Sequence, residues 1–283
     1  MSGFRSVAQR IRHLPVLERA EGLWQFVRKP YHKLLNLGGR GVRVRVGGKA
    51  DIWMPPEFAG GSWEAHEPQT VEVFARWIRK HPDGLVLDVG SSTGIFSAIA
   101  LFTTPSVEVI AFDPDLSSLA AVRRMCQHVD RSRLQLVHCF AADVSSEQET
   151  IEVAVRTTAE ALAGKRITGD VGTTRYIALS SRVDNSVPTF RLDDLFDAKL
   201  LLQRPVMMKC DVEGAELRVL RGFEKSLRRA RPSLILSIHP PALPEYGSSK
   251  EEVESFLQSL GYKIEIIAID HEEHWWCEFR KPS

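Results

Sequence analysis

Leu85-Val86-Leu87-Asp88-Val89 runs directly into Gly90-Ser91-Ser92-Thr93-Gly94, and this junction decides the fold. Four of the first five residues are apolar, a run that suits a short strand covered on both faces. After Gly94, Ile95, Phe96, Ile99 and Phe102 recur at helical spacing. Strand, glycine turn and helix open a doubly wound α/β sheet, where ligands collect at the carboxyl ends of the strands. Gly90 permits the tight turn, and Gly94 lets the helix approach the strand.

The pattern repeats outward from that junction. Val107 to Phe112 reads as a second strand, closing at Asp113 and followed by a helix through Leu116, Leu119, Val122 and Met125. Leu134 to Phe140 is a third strand, with Asp143 beyond it. Val206 to Val212 is a fourth, with Leu217, Leu220, Phe223 and Leu227 on its helix. Leu234 to Ile238 is a fifth, and Ser249 with Glu252 is spaced as a capping box for the next helix. Ile264 to Ile269 and Trp275 to Phe279 close the sheet as a strand pair. Between Ala141 and Arg204 the alternation breaks, and Thr150 to Val155 with Arg175 to Leu179 read as an inserted hairpin. Upstream, Val42 to Val46 alternates with period two and ends at Gly47-Gly48, predicting a hairpin with Ile52 and Trp53. Glu67-Pro68 then heads a helix through Val71, Phe74, Ala75 and Ile78. The expected division is an N-terminal extension over 1–63 and an α/β domain over 64–283.

Charge separates the same two parts. Residues 1–50 carry eleven Lys and Arg against two Glu, a net +9, whereas the remainder carries −8. The basic arm has an apolar stripe of Leu17, Ala20, Leu23, Trp24 and Val27. It reads as a helix docked on the body, an interfacial helix on an anionic membrane, or a nucleic-acid contact. No run reaches the roughly 18 apolar residues of a membrane span, and Arg5, Arg10 and Arg12 interrupt any leader-like core. Cys126, Cys139, Cys210 and Cys277 form no CxxC pair, which argues against a zinc cluster or disulfide framework. A cytoplasmic protein is expected.

The glycine loop has a chemical preference. Ser92 stands where a dinucleotide fingerprint needs the glycine that admits pyrophosphate, and no GxxxxGK[ST] is present. DxGxxxG with a leading carboxylate better suits a cofactor with an ammonium group and no phosphate, such as S-adenosylmethionine. Asp88 would face its methionine end, Asp113 its ribose hydroxyls and Asp143 its adenine amino group.

Lys209-Cys210-Asp211-Val212-Glu213-Gly214-Ala215-Glu216, followed by Val219-Leu220-Arg221-Gly222, resembles the hallmark segment of the FkbM-type methyltransferases. Glu67-Pro68, Asp88-Val89-Gly90 with Gly94, and Ala111-Phe112-Asp113-Pro114 resemble the family too, although Asp113 stands where it usually has Glu. Ser91-Ser92 replaces its common Ala-Asn, so a hydroxyl must make the contact an amide would make. The likeness covers roughly residues 64–280. It implies a Rossmann-like class I methyltransferase fold, a mostly parallel seven-stranded sheet with an antiparallel last strand. It also implies S-adenosylmethionine as donor and O-methylation of a sugar, glycolipid or natural product. Glu67, Asp88, Gly90, Ser91, Ser92, Gly94, Asp113 and Asp143 are then the cofactor residues.

Methyl transfer to an alcohol needs in-line positioning and a group to handle the hydroxyl proton. Asp211 and Glu213 follow the fourth strand, His239 ends the fifth, and Asp270-His271-Glu272-Glu273-His274 links the last two. Topology gathers these at the carboxyl edge. Asp211, His239, His274 and Glu213 are the catalytic candidates, with a histidine as general base. A divalent ion on Asp211, His239 and His274 ranks behind proton transfer, and the expected site carries no metal. His271 reads as a solvated turn. Lys209 points along its buried strand toward Glu67 or the cofactor carboxylate. A cofactor-binding module without catalysis would lack this polar cluster. A base-nitrogen methyltransferase acting on nucleic acid should show an Asn/Asp-Pro-Pro-Tyr/Phe motif, and His239-Pro240-Pro241-Ala242 lacks both the amide and the aromatic.

Overall fold

A computed structural model describes residues 41–145, 187–196 and 201–280. The basic arm and the expected inserted hairpin lie outside the described residues. The chain opens on β1 (Val42–Val46) and β2 (Ala50–Met54), then α1 (Pro68–Lys80), β3 (Leu85–Val89), α2 (Ile95–Thr103), β4 (Glu108–Asp113) and α3 (Leu116–Met125). It continues through β5 (Leu134–His138), β6 (Phe140–Ala141), β7 (Thr189–Phe190), α4 (Leu192–Leu195), β8 (Val206–Cys210), α5 (Glu216–Gly222) and α6 (Glu224–Arg229). It ends with β9 (Ser233–Ile238), α7 (Lys250–Ser259), β10 (Tyr262–Ile269) and β11 (Glu273–Phe279).

Seven strands form one sheet in the order β10-β11-β9-β8-β3-β4-β5. β3 pairs parallel with β4 and β8, and β8 parallel with β9, while β11 runs antiparallel to both β9 and β10. β3 and β8 are buried at every residue, because helices cover both faces. Strand alternation splits the core in two. Leu85, Leu87, Val89, Met208, Cys210, Leu236 and Ile238 pack against Leu217, Leu220 and Phe223 of α5 and its border with α6, and against Val253 and Leu257 of α7. Val86, Val109, Ala111, Met207 and Ile235 face Val71, Phe74 and Ile78 of α1, Ile95 and Ile99 of α2, and Val122 and Met125 of α3.

The expected hairpin forms with Val44 opposite Ile52. Its Val46, Ile52 and Met54 belong to the α1–α3 core, so residues 41–63 pack with the α/β body. The capping box at Ser249 and Glu252 is present, and Pro68 begins α1 as expected. Two expected elements differ. The third strand stops at His138, after which Phe140–Ala141 pairs in parallel with Thr189–Phe190. The helix after β8 breaks into α5 and α6 at Gly222, where a Cβ would lie 1.9 Å from the Ala142 carbonyl oxygen. Among the described residues, no helix is long and apolar enough to cross a membrane.

Candidate active site

The carboxyl edge of the sheet carries two adjoining clusters. The first is the β3–α2 loop. Gly90, Ser92 and Gly94 all have positive φ, at 79°, 47° and 77°. A Cβ on Gly90 would lie 1.7 Å from the Asp211 carbonyl oxygen, so the loops after β3 and β8 touch backbone to backbone. Asp113 ends β4 and ties the loop down: its Oδ2 accepts from Ser92 N–H at 2.9 Å and its Oδ1 from Asp115 N–H at 2.8 Å. Burial pushes its carboxyl up to about 7, against the pull of those two N–H groups. Ser91 Oγ is buried beside them with no hydrogen-bond partner.

Two expected cofactor residues are placed differently. Asp88 is 3% exposed. Strand parity points it at α2, where its Oδ2 accepts from Ser97 N–H at 3.1 Å and from the Ser97 hydroxyl at 2.5 Å. Burial outweighs those donors and raises its pKa. It braces the helix rather than facing a ligand. Asp143 accepts from Arg218 Nε at 2.9 Å, an ion pair that competes with any adenine contact.

The second cluster gathers after β8 and β9 and at the β10–β11 turn. His239 is its centre. Its Nδ1 is 2.9 Å from Glu216 Oε1, and its Nε2 faces Glu272 Oε2 at 2.5 Å, Glu213 Oε2 at 3.3 Å and Asp211 Oδ1 at 3.7 Å. Burial alone would lower the His239 pKa; the bonds to Glu216 and Glu272 and the Asp211 charge reverse this and lift it to about 11. Surrounded by carboxylates, the ring is held toward its protonated form, unlike the free base expected from the sequence. Glu213 is half-buried with φ 54°, and burial raises its carboxyl.

Beneath lies Lys209, 1% exposed, over the Phe96 ring. Its Nζ donates to Asp211 Oδ2 at 3.1 Å and to Ser237 Oγ at 2.7 Å. Burial opposes the Asp211 carboxylate, but Lys209 and His239 outweigh it and hold Asp211 below the usual carboxylate range. Ser237 lies opposite His274 in the β9–β11 register, with 3.3 Å between Oγ and Nδ1. Because Lys209 can only donate, Ser237 accepts from it and turns its own proton toward Nδ1. His274 Nε2 lies 3.4 Å from both Glu272 Oε1 and Asp270 Oδ2. His274 is fully buried at the start of β11, not on the turn, which removes it from the acceptor-facing surface. Glu67 stands against it, with Oε2 3.5 Å from Nδ1, rather than in the glycine loop. His271 is the solvated turn residue expected, paired with Asp270 at 2.8 Å.

Glu216 and Glu272 complete the cluster and were absent from the sequence candidates. Glu216 lay inside the quoted segment three residues past Glu213, and Glu272 within the quoted turn, but only tertiary folding aims both at one imidazole.

A family model described as the methyltransferase FkbM domain matches residues 88–264. AMB antimetabolite synthetase AmbE of Pseudomonas aeruginosa is 22% identical over 221 residues, covering 69% of this chain and only 10% of that much longer protein. Among solved structures, methyltransferase FkbM from Methylobacillus flagellatus is similar at 16% identity and TM-score 0.46, over 78% of this chain and 56% of that one. Precorrin-6y C5,15-methyltransferase from Geobacter metallireducens is similar at 13% identity and TM-score 0.42, over 77% and 89%. The sheet, mostly parallel with an antiparallel last strand, is the class I methyltransferase arrangement. Matched by the family model over more than half its length, the chain belongs to the FkbM methyltransferase domain family.

Proposed function

We propose that the protein transfers a methyl group from S-adenosylmethionine to a hydroxyl of a sugar, glycolipid or other small natural product. Members of this family generally use that donor. The observation that carries the reading is the backbone contact of Gly90 with the loop bearing Asp211, which sets the glycine turn directly beside the acid–imidazole cluster.

The residues present fit the donor. The turn is too tight for side chains at Gly90, and the Ser91 hydroxyl, buried without a partner, is a polar group waiting for one. The Gly90–Gly94 turn would hold the methionine end, and Asp113 the ribose through lone pairs its two N–H donors leave open. When bound, the donor supplies an electrophilic methyl on a positively charged sulfur. The chain's task is then to position the acceptor and receive its proton. Glu213 is the most open carboxylate around His239, at 39% side-chain exposure, and is assigned as the base that accepts the proton at Oε2. His239, gripped between Glu216 and Glu272, and Asp211, held by Lys209, orient the acceptor.

The basic arm is assigned to anionic membranes or acidic glycolipids; removing residues 1–40 should abolish liposome co-sedimentation at low salt. Four buried free thiols support a cytoplasmic setting. The functional test is mass spectrometry of glycans, glycolipids and small metabolites from cells with and without the gene. A one-methyl shift on a hydroxyl supports the reading; methylation only of nucleic acid or of nitrogen contradicts it.

A further inference from the structure

We propose that Asp211, His239 and Glu272 form a divalent-cation site, with Mn²⁺ or Mg²⁺ as its natural class of ion. Its use in methyl transfer rests on the function proposed above; its existence does not.

The argument is one of geometry and donor count. A single imidazole nitrogen, His239 Nε2, has three carboxylate oxygens around it at 2.5, 3.3 and 3.7 Å. One N–H proton cannot satisfy three carboxylates, whereas one cation placed between them can. Adjacent ligands each about 2.1 Å from an octahedral ion lie about 3.0 Å apart, a value bracketed by the Nε2 separations of 2.5 Å to Glu272 and 3.7 Å to Asp211. The ligand atoms of Asp211, His239 and Glu272 all lie within 4.8 Å of one another. Their neighbours are arranged as such a site requires. Lys209 takes Asp211 Oδ2 and so leaves Oδ1 directed at His239. Glu216, fully buried, holds His239 Nδ1 and leaves Nε2 as the outward nitrogen. A carboxylate on the far nitrogen of a metal-binding histidine fixes its tautomer and ring plane.

Fully buried atoms supply the independent sign. Glu216 Oε2 and His274 Nε2 lack any hydrogen-bond partner. An unpartnered carboxylate oxygen behind His239 calls for positive charge on the ring or at its far nitrogen, and an ion on Nε2 would supply it in place of the ring proton. His274 Nε2 lies 3.4 Å from Glu272 Oε1, behind the shared carboxylate whose Oε2 faces His239. The ion is thus held by one imidazole and two carboxylates. Carboxylate-rich sets that leave positions open for water or substrate suit Mn²⁺ and Mg²⁺. Asp211 is 28% exposed, so the open side faces the acceptor. A hydroxyl bound there would be acidified by the ion and release its proton to Glu213 Oε2.

The test uses Mn²⁺ alone with the full chain, without donor or acceptor, so failure of the methyl-transfer reading leaves it intact. Pulsed electron paramagnetic resonance should show one bound Mn²⁺ with a directly coordinated imidazole nitrogen. The coupling should persist in His271→Ala and vanish in His239→Ala. Because His239→Ala alters a buried residue, Glu216→Gln provides a second arm, weakening Mn²⁺ affinity by about 10–100-fold. A wild-type protein without nitrogen coupling, loss of coupling in His271→Ala instead, or unchanged affinity in Glu216→Gln would overturn the proposal.

Discussion

The β3–β4 side of the sheet edge and the β8–β9–β11 side are built from different materials. On the first, the shape is made by backbone: positive φ at Gly90, Ser92 and Gly94, with Asp113 tying N–H groups together. On the second it is made by side chains from several strands and turns converging on His239. The backbone-built half tolerates little change in sequence but needs few particular side chains. The side-chain-built half is a charge network whose members depend on one another. Under the proposed function, the first half holds the cofactor and the second handles the proton.

The largest effect should come from breaking the seam between them. Gly90→Ala puts a Cβ 1.7 Å from the Asp211 carbonyl oxygen at a φ of 79°. Strain and overpacking together should cost about 2–6 kcal/mol, read as a lower midpoint in urea unfolding. A midpoint equal to wild type would mean that the loops are not in contact. Next, Glu213→Gln should separate the two halves: turnover should fall by about 10²–10⁴-fold while the dissociation constant for the donor changes little. A parallel loss of donor affinity would show that the division of labour is wrong.

A smaller effect concerns pH. The Asp113 carboxyl is raised to about 7 by burial, above an unfolded value of about 3.9. A raised folded pKa contributes stability that is fully present below about pH 4 and is lost as pH rises through about 7. Wild-type stability relative to Asp113→Asn should therefore decline between those limits and then level off. A difference independent of pH over that window would contradict a buried, proton-retaining Asp113.

The contrast also explains what could be read in the sequence. Alternating apolar strands, the glycine turn, Asp113 and the Ser249 capping box are local signals, and local backbone rules give the doubly wound sheet from them. Asp211, Glu213 and His239 were legible because strand ends must meet at one edge. Asp88 stands just before the turn in sequence, but strand parity sends its side chain into α2. The run from Asp270 to His274 reads as one turn in sequence, but β11 starts at Glu273, and pairing with Ser237 buries His274. Glu216 and Glu272 could not be assigned, since a lone carboxylate in a segment carries no sign of which imidazole it will meet. The separation of sheet parity into two cores was implicit in the apolar pattern and became a site constraint only once Lys209, Ser237 and His274 were seen to share a face.

The central claim is that the Gly90–Gly94 turn and Asp113 bind S-adenosylmethionine, and calorimetry tests it most directly. Titration into the full-length protein should give one site per chain. Measured above about pH 8, where a carboxyl raised to about 7 is ionised, Asp113→Ala, checked for a retained fold, should weaken binding by roughly 10- to 150-fold, since a hydrogen bond to a charged group contributes about 1.5–3 kcal/mol. Equal affinity in wild type and variant, or binding of NAD in preference to S-adenosylmethionine, would contradict the account.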